Sequence, residues 1–220
     1  MRVVRLPGVY PVQEDSLLLL GAVLRESPPA RNVLELCSGS GGLAVVLARA
    51  GARVTAVDIS RRAVLSTRLN AQLNGVPVKV RREDVFAPGL GRSLGRYDVV
   101  IANPPYVPGR RTLPAGHGRA RVWDAGWDGR AVLDRICACV PDLLLPGGRV
   151  MLVQSRVANP DATCAALQAW GLATRVVRRR RIPFGPVMHE RAHWLEQRGM
   201  IEPGSREEEL VVIRGERARE

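Results

Sequence analysis

Lysine is almost absent from this chain of 220 residues: Lys79 is the only one, although Lys and Arg together number 33. The net charge of +12 is therefore carried by arginine. Aromatic residues make up only 4% of the chain, and none interrupts the densest basic run, residues 178–181. A base-stacking platform for single-stranded nucleic acid needs interleaved aromatics, so that kind of site is excluded there. Two interpretations of the charge remain: a solvated surface, or contact with an anionic partner such as RNA, the ribosome or an acidic protein face.

Long apolar runs are missing as well. No stretch approaches the roughly 20 apolar residues that a transmembrane helix needs, and the leucine run at 17–20 is short and follows two acids. We expect no signal peptide, no membrane contact and a cytoplasmic protein. The chain has only four cysteines, without framework spacing, which indicates reduced thiols rather than a disulfide scaffold.

Strand and helix patterns alternate along the chain. The sequence predicts strands at 32–36, 53–57, 76–80, 97–102, 149–154, 172–177 and 209–214, and helices at 14–26, 43–50, 60–74, 129–145, 161–170 and 186–198. This alternation favours an α/β fold with a mainly parallel sheet. We expect a single domain over residues 1–220, because no repeat, low-complexity block or linker interrupts the pattern.

The segment Asn103-Pro104-Pro105-Tyr106 directly follows the apolar run at 97–102. Successive prolines cannot continue a strand, because they lack N–H donors. The chain must leave the sheet there, at the edge where open α/β sheets place their ligands. Asn103 and the Pro104 carbonyl offer two acceptors and Tyr106 a flat ring, a set that suits a planar –NH2 group on an amide or a base. The structural alternative is an Asx-type turn with a core tyrosine.

A second constellation lies upstream, where a glycine-rich turn at 38–42 follows the first strand. Glu35, Asp58 and Asp84 fall at the ends of three successive strands, with Asp58 placed to hold a ribose diol and Asp84 to reach an adenine edge. The glycine spacing is not G-x-G-x-x-G, and Glu35 would repel a pyrophosphate. A positively charged sulfonium cofactor suits Glu35 better. The alternative is three loop carboxylates that act as turn and cap residues.

Together these residues resemble the class I S-adenosylmethionine-dependent methyltransferases, and more narrowly the HemK-type protein glutamine N5-methyltransferases. The likeness covers residues 9–155 and is greatest to the short branch that lacks the N-terminal helical domain. It rests on the opening segment at 9–19, the tetrapeptide at 103–106 and the segment at 123–144. The resemblance implies a Rossmann-like α/β fold with a seven-stranded, mostly parallel sheet whose last strand is antiparallel.

The resemblance also implies roles for individual residues. S-adenosyl-L-methionine would contact Ser16, Glu35, Cys37, Ser38, Gly39, Gly41, Asp58, Ile59, Asp84, Val85 and Asn103, and catalysis would rest on Asn103, Pro104 and Tyr106. Cys37 departs from the glycine that the family usually has there.

The implied acceptor is the side-chain amide of a protein glutamine, as in a translation release factor. Two alternatives stay open: an exocyclic amine of adenine or guanine in RNA or DNA, and a non-enzymatic module that keeps the cofactor site. Members of the short branch work with a small zinc-binding partner subunit, and the sequence does not say whether one exists here.

One further motif, His189-Glu190-Arg191-Ala192-His193, fits the H-E-x-x-H pattern of zinc proteases. Such an enzyme also needs a third ligand and a supporting domain, and only a short tail follows, so we expect no metal. The stretch 182–205 is longer than the short branch has between its last strands. The extra helix at 186–198 and a predicted loop at 107–128 are candidates for docking the acceptor.

Overall fold

The computed structural model of this protein describes residues 2–26, 31–110 and 123–219. The helices are α1 (Glu14–Val23), α2 (Gly42–Arg49), α3 (Arg61–Leu73), α4 (Leu90–Leu94), α5 (Ala131–Leu143), α6 (Pro160–Gln168) and α7 (Pro186–Gln197). The strands are β1 (Asn32–Leu36), β2 (Arg53–Asp58), β3 (Val78–Arg82), β4 (Tyr97–Ala102), β5 (Leu144–Ser155), β6 (Ala173–Pro183) and β7 (Glu207–Glu216).

One seven-stranded sheet runs through the molecule in the order β3-β2-β1-β4-β5-β7-β6. The pairs from β3 to β5 are parallel, and β7 is antiparallel to both β5 and β6. The predicted seven-stranded, mostly parallel sheet with an antiparallel last strand is thus confirmed. The strand order reverses between β1 and β4, and their carboxyl ends mark the point where open α/β sheets bind ligands.

Apolar cores cover both faces of the sheet. Successive side chains of β1 point to opposite faces of the sheet, because a strand has a period of two. Val33 packs with α1 and α2 on one face, whereas Leu34 and Leu36 pack with α5 on the other. A third cluster lies apart from these two and joins Tyr106 to α7. No helix in the described ranges is long and apolar enough to cross a membrane.

Several strand ends differ from the prediction, and three of these differences bear on how the sheet is built. β3 begins at Val78 rather than at residue 76, because the Val76 N–H still closes α3 by donating to the Ala71 carbonyl, and Pro77 has no donor. β5 begins at Leu144, so the Pro-Gly-Gly stretch at 146–148 does not separate helix from strand. It falls in the irregular part of the β4–β5 pairing, between the pairs Tyr97–Leu144 and Val99–Arg149, where a proline is tolerated.

The third difference concerns β6, which continues to Pro183 instead of stopping near residue 177. The basic run at 178–181 therefore belongs to a strand, paired residue by residue with β7. The short helix α4 was not predicted from the sequence. Most of the predicted loop at 107–128, including His117, lies outside the described residues.

Candidate active site

A cavity of about 360 Å³ opens at the carboxyl ends of β1, β2, β3 and β4. Its walls come from the turns after those strands and from the segment before α1. The residues at its surface are Gly8, Val9, Tyr10, Asp15, Cys37, Gly39, Val57, Asp58, Ile59, Ser60, Ala63, Glu83, Asp84, Val85, Phe86, Asn103, Pro104, Pro105, Tyr106, Val107, Trp123 and Val132. The two constellations predicted from the sequence thus face one space.

The glycine turn is built on left-handed backbone. Gly39 and Gly41 have φ values of 54° and 75°, and Cys37, with φ of 57°, adopts the same conformation without being glycine. Glycine takes this region freely, whereas other residues are strained there. Gly41 is also packed tightly, since an added Cβ would lie 2.5 Å from Cγ2 of Thr67. The turn therefore keeps its main chain close to α3.

Glu35 lies below the surface of the cavity, two residues before Cys37, and is 4% exposed. Its carboxyl accepts a hydrogen bond from the Ala44 N–H in the first turn of α2. Within the described ranges, Oε2 has no hydrogen-bond partner. Burial raises the pKa of Glu35 to about 8, and the nearby Asp58 adds to the effect. A neighbouring cation would favour the charged form of this carboxyl and lower its pKa.

Asp58 and Asp84 border the cavity directly. Asp58 Oδ2 accepts from the Gly39 N–H at 2.9 Å and Oδ1 from the Ser60 N–H at 2.8 Å, which ties the end of β2 to the glycine turn. Asp84 Oδ1 accepts from the Phe86 N–H at 2.9 Å. Main-chain donors therefore hold both carboxylates at the cavity wall.

The tetrapeptide forms the opposite wall. Asn103 Nδ2 donates to Ser16 Oγ at 3.1 Å, and the buried Tyr106 donates its hydroxyl to Asp15 Oδ2 at 2.9 Å. Burial, followed by the charge of Asp15, raises the pKa of Tyr106 well above its usual range. The hydroxyl therefore keeps its proton, and both ends of the tetrapeptide are fastened to α1.

Asp15 also borders the cavity, although the sequence analysis did not assign it to the site. It is 3% exposed and accepts from four donors. Oδ2 takes the hydroxyls of Tyr10 at 2.6 Å and Tyr106, whereas Oδ1 takes the main-chain N–H of Ser16 at 2.6 Å and its hydroxyl at 3.2 Å. The sequence carries one signal for it, an acid beside Ser16 in the opening segment, but an acid in the first turn of a helix is common for structural reasons alone.

The predicted cofactor residues divide into two groups. The cavity surface includes Cys37, Gly39, Asp58, Ile59, Asp84, Val85 and Asn103. Ser16, Glu35, Ser38 and Gly41 are not at that surface. Ser38 is buried and its N–H donates to the Val57 carbonyl at 3.0 Å, and the other three have the contacts described above. The catalytic set predicted from the sequence, Asn103, Pro104 and Tyr106, lies at the surface in full.

α7 packs against the chain that follows the tetrapeptide. Met188 and Leu195 of α7 share a buried cluster with Tyr106 and Val107. Arg191 Nη1 donates to the Pro108 carbonyl at 2.5 Å. The added helix therefore supports the cavity wall that the tetrapeptide forms.

A second set of contacts joins α7 to the far end of the same loop. Trp194 meets Trp127 edge to face at 5.7 Å between ring centroids, and the Arg198 guanidinium lies 4.0 Å from the Trp127 centroid. Trp127 remains 43% exposed. Residues 107–109 and 123–126 are held together by main-chain hydrogen bonds such as Val107 N–H to the Trp123 carbonyl at 2.9 Å. One helix thus anchors both ends of this loop.

The H-E-x-x-H motif lies on α7. His189 and His193 are exposed; the His189 ring packs edge-on against Phe184, and His193 Nε2 lies 2.9 Å from Gln197 Nε2. No cluster of three metal-ligating side chains occurs in the ranges 2–26, 31–110 and 123–219.

The arrangement suits a cofactor that carries both positive charge and hydroxyls. Glu35 contributes an unpaired buried oxygen near the turn, Asp58 and Asp84 contribute acceptors at the wall, and Gly39 allows close approach to the main chain. Across the cavity, Asn103 and Tyr106 form a polar and aromatic surface for a second, planar molecule. Two reactants could therefore be held facing each other.

Comparisons with known proteins agree with this geometry. Residues 1–117 match the family model described as methyltransferase small domain. A Methanocaldococcus jannaschii protein named "putative protein N5-glutamine methyltransferase" is 32% identical over 183 residues, which cover 83% of this chain and 90% of that protein. Human methyltransferase HEMK2 is 33% identical over 170 residues, 74% of this chain and 79% of that protein. The release factor glutamine methyltransferase of Mycolicibacterium smegmatis is 40% identical over 150 residues, but the match spans only 53% of its length.

Solved structures show the same architecture. Mtq2, from the E. cuniculi Mtq2–Trm112 complex that methylates the translation termination factor eRF1, superposes with a TM-score of 0.66 at 25% identity, covering 96% of this chain and 99% of that one. The Thermus thermophilus 16S rRNA N2 G1207 methyltransferase, solved with AdoMet and guanosine, has a TM-score of 0.64 at 21% identity, covering 99% and 49%. The latter likeness concerns the fold alone, so the fold does not decide between protein and RNA acceptors.

Proposed function

Because this chain belongs to the methyltransferase small domain family, we propose that it methylates the side-chain amide of a glutamine in a translation release factor. It is a methyltransferase, and we assign S-adenosyl-L-methionine as its methyl donor. One observation carries the choice of a planar nitrogen as acceptor: Asn103, Pro104 and Tyr106 face the same cavity as the glycine turn, Asp58 and Asp84. The choice of glutamine is supported by the relatives named for that activity.

We assign the cofactor to the half of the cavity formed by the turns after β1, β2 and β3. Asp58 would hold the ribose, the Asp84–Val85 turn the adenine, and Glu35 the positively charged end. When bound, the cofactor supplies a methyl group on a positively charged sulfur. The protein contributes hydrogen-bond acceptors in fixed positions, because main-chain N–H groups already orient the carboxylates of Asp58 and Asp84.

The acceptor amide would lie against the tetrapeptide. The Asn103 side-chain oxygen and the Pro104 carbonyl each accept one N–H of the –NH2 group, which orients the nitrogen toward the methyl group. The same two acceptors stabilise positive charge that grows on nitrogen as its lone pair forms the new bond. Tyr106 packs on the planar group, and the extra proton leaves to solvent after transfer, so no strong base is needed.

We further propose that residues 1–220 act as a single methyltransferase domain in the cytoplasm, where release factors work. The E. cuniculi relative is solved in a complex with Trm112. Activity of the isolated chain would show whether it needs a second subunit of that kind.

The test is methyl transfer from isotopically labelled cofactor to a purified release factor, with mass spectrometry to locate the label. We expect one methyl group on the glutamine of its Gly-Gly-Gln loop, and loss of labelling when that glutamine is replaced. Asn103→Ala should lower kcat by about 100-fold, comparable to removing one transition-state hydrogen-bonding group. Asn74→Ala is the matched control, because Asn74 bonds Arg2 and Asn70 and does not line the cavity.

Total RNA serves as the competing acceptor in the same assay. The net charge of +12 makes RNA the appropriate alternative. If RNA is labelled and the release factor is not, the proposal of a glutamine acceptor is wrong, and the methyl acceptor is instead an amine on a nucleobase. Full activity of Asn103→Ala on every acceptor would remove the catalytic role of the tetrapeptide.

A further inference from the structure

We propose that Asp15 and Ser16 are positioning residues that fix which way the Asn103 side-chain amide faces. This inference rests on the proposed function, in which the Asn103 oxygen must point at the acceptor nitrogen. It gives Ser16 a different role from the cofactor contact that the family resemblance implies. The contact that motivates it is the hydrogen bond from Asn103 Nδ2 to Ser16 Oγ, at 3.1 Å.

The orientation of Asn103 matters because its amide has two unlike ends of nearly equal shape. One end is an acceptor oxygen and the other an NH2 group with two donors. Only the oxygen of Asn103 can accept a hydrogen bond from the –NH2 group that is to be methylated. If the amide rotated by half a turn, donors would face donors, and the substrate nitrogen would lose its orienting partner.

The proton on Ser16 decides between these two orientations. Ser16 Oγ lies 3.2 Å from Asp15 Oδ1 and 3.1 Å from the Asn103 side chain. A serine hydroxyl has one proton to donate, and a carboxylate has none. The Ser16 proton therefore points at Asp15, and its lone pairs point at Asn103. Only the NH2 end of Asn103 can meet a lone pair, so the oxygen end is turned away from Ser16.

Asp15 is held in this acceptor role by its surroundings. The Ser16 main-chain N–H donates to Oδ1 at 2.6 Å, and the hydroxyls of Tyr10 and Tyr106 donate to Oδ2 at 2.6 Å and 2.9 Å. Burial raises the pKa of both tyrosines, so they keep their protons. Asp15 and Ser16 are 3% and 4% exposed, so water has little access to compete for these bonds. A chain of directed hydrogen bonds thus runs from Asp15 to the catalytic amide.

The experiment compares Ser16→Ala with Ser16→Thr, which keeps a hydroxyl. Loss of one orienting hydrogen bond is worth on the order of a ten-fold fall in kcat. We expect that fall for Ser16→Ala, with cofactor affinity by calorimetry unchanged within two-fold, and recovery of most of kcat in Ser16→Thr. A merely structural role would not give this pattern.

A second readout needs neither cofactor nor acceptor. In the nuclear magnetic resonance spectrum of the free protein, we expect the side-chain NH2 of Asn103 to be protected from solvent exchange. That protection should be lost in Ser16→Ala and kept in Ser16→Thr.

Two results would overturn the inference: full kcat in Ser16→Ala, or a parallel loss of cofactor affinity, which would return Ser16 to the cofactor site. If the wild type methylates no acceptor, the proposed function fails instead, and the exchange measurement still decides whether Ser16 orients Asn103.

Discussion

Arg191 is the contact through which α7 should control the acceptor side of the cavity. Its Nη1 donates to the Pro108 carbonyl at 2.5 Å, two residues beyond Tyr106, and lies 3.9 Å from Asp124 Oδ1. The Arg191 side chain is 20% exposed and that of Asp124 only 6%. Arg191→Met would keep most of the apolar stem while removing the guanidinium.

The loss of stability in Arg191→Met can be worked out from the groups that lose a partner. A hydrogen bond from a charged donor contributes about 1.5–3 kcal/mol, and its loss leaves a carbonyl without its partner. Asp124 also loses a nearby cation, although the pair is too far apart for a hydrogen bond and Arg191 is partly solvated. We therefore expect the free energy of unfolding to fall by about 2–3 kcal/mol. For a domain of this size that corresponds to roughly 5–10 °C in Tm.

Thermal unfolding and steady-state kinetics together test this reasoning. The acceptor KM should rise several-fold, because the chain after Tyr106 loses its anchor, while cofactor affinity stays constant. Arg62→Met is the matched control, since Arg62 Nη1 also donates to a proline carbonyl, that of Pro7 at 3.2 Å, but at an exposed site. Its effect should stay within about 0.5 kcal/mol. Equal stability and equal acceptor KM in the two variants would refute the argument.

Two further predictions concern the turn beside Tyr106 and the buried acid. Gly129→Ala should destabilise the protein by about 2–4 kcal/mol and lower kcat, because the new Cβ would lie 2.4 Å from the Tyr106 carbonyl oxygen. Gly171→Ala is the control, since Gly171 has a similar φ of 78° but open space around it, so this variant measures the backbone strain alone. Equal urea midpoints for the two variants would contradict the predicted clash. For Glu35, the folded pKa of about 8 lies above the ordinary 4.5, so its stabilising contribution is present at low pH and is lost as pH rises from about 4.5 to 8. Wild type should therefore lose stability relative to Glu35→Gln across that window in urea titrations, and a constant difference from pH 5 to pH 8 would show that Glu35 is not perturbed.

Local chemistry was sufficient to predict most of the fold and both halves of the cavity. Strand-ending acids, left-handed glycines and paired prolines act within a few residues, so Asp58, Gly39 and Asn103 could be assigned from their immediate neighbours. The predicted strand boundaries were wrong where contacts with a neighbouring element set them. Val76 is an example, because its N–H closes α3 and β3 begins only after it.

The network around Asp15 could not be predicted in the same way. Tyr106 and Asp15 are 91 positions apart, and their contact depends on how α1 packs beside the end of β4. An acid in the first turn of a helix is common enough to be explained by the helix dipole alone. The docking of α7 on Pro108 is equally non-local, which is why the sequence indicated an extra helix as a candidate for docking the acceptor but not the segment against which it packs.

The position of β6 at one edge of the sheet gives the arginine run a physical role of its own. An exposed edge strand offers unpaired main-chain groups to other chains, and charged side chains along it discourage strand-to-strand association. Arg179 and Arg181 are exposed on β6, and Arg179 and Arg180 also bind Glu209 at 3.0 Å and Glu14 at 2.6 Å. Replacing these arginines with threonine would leave a β-prone edge without charge. We therefore expect the arginines of β6 to discourage strand-to-strand association at this edge, whatever acceptor the protein methylates.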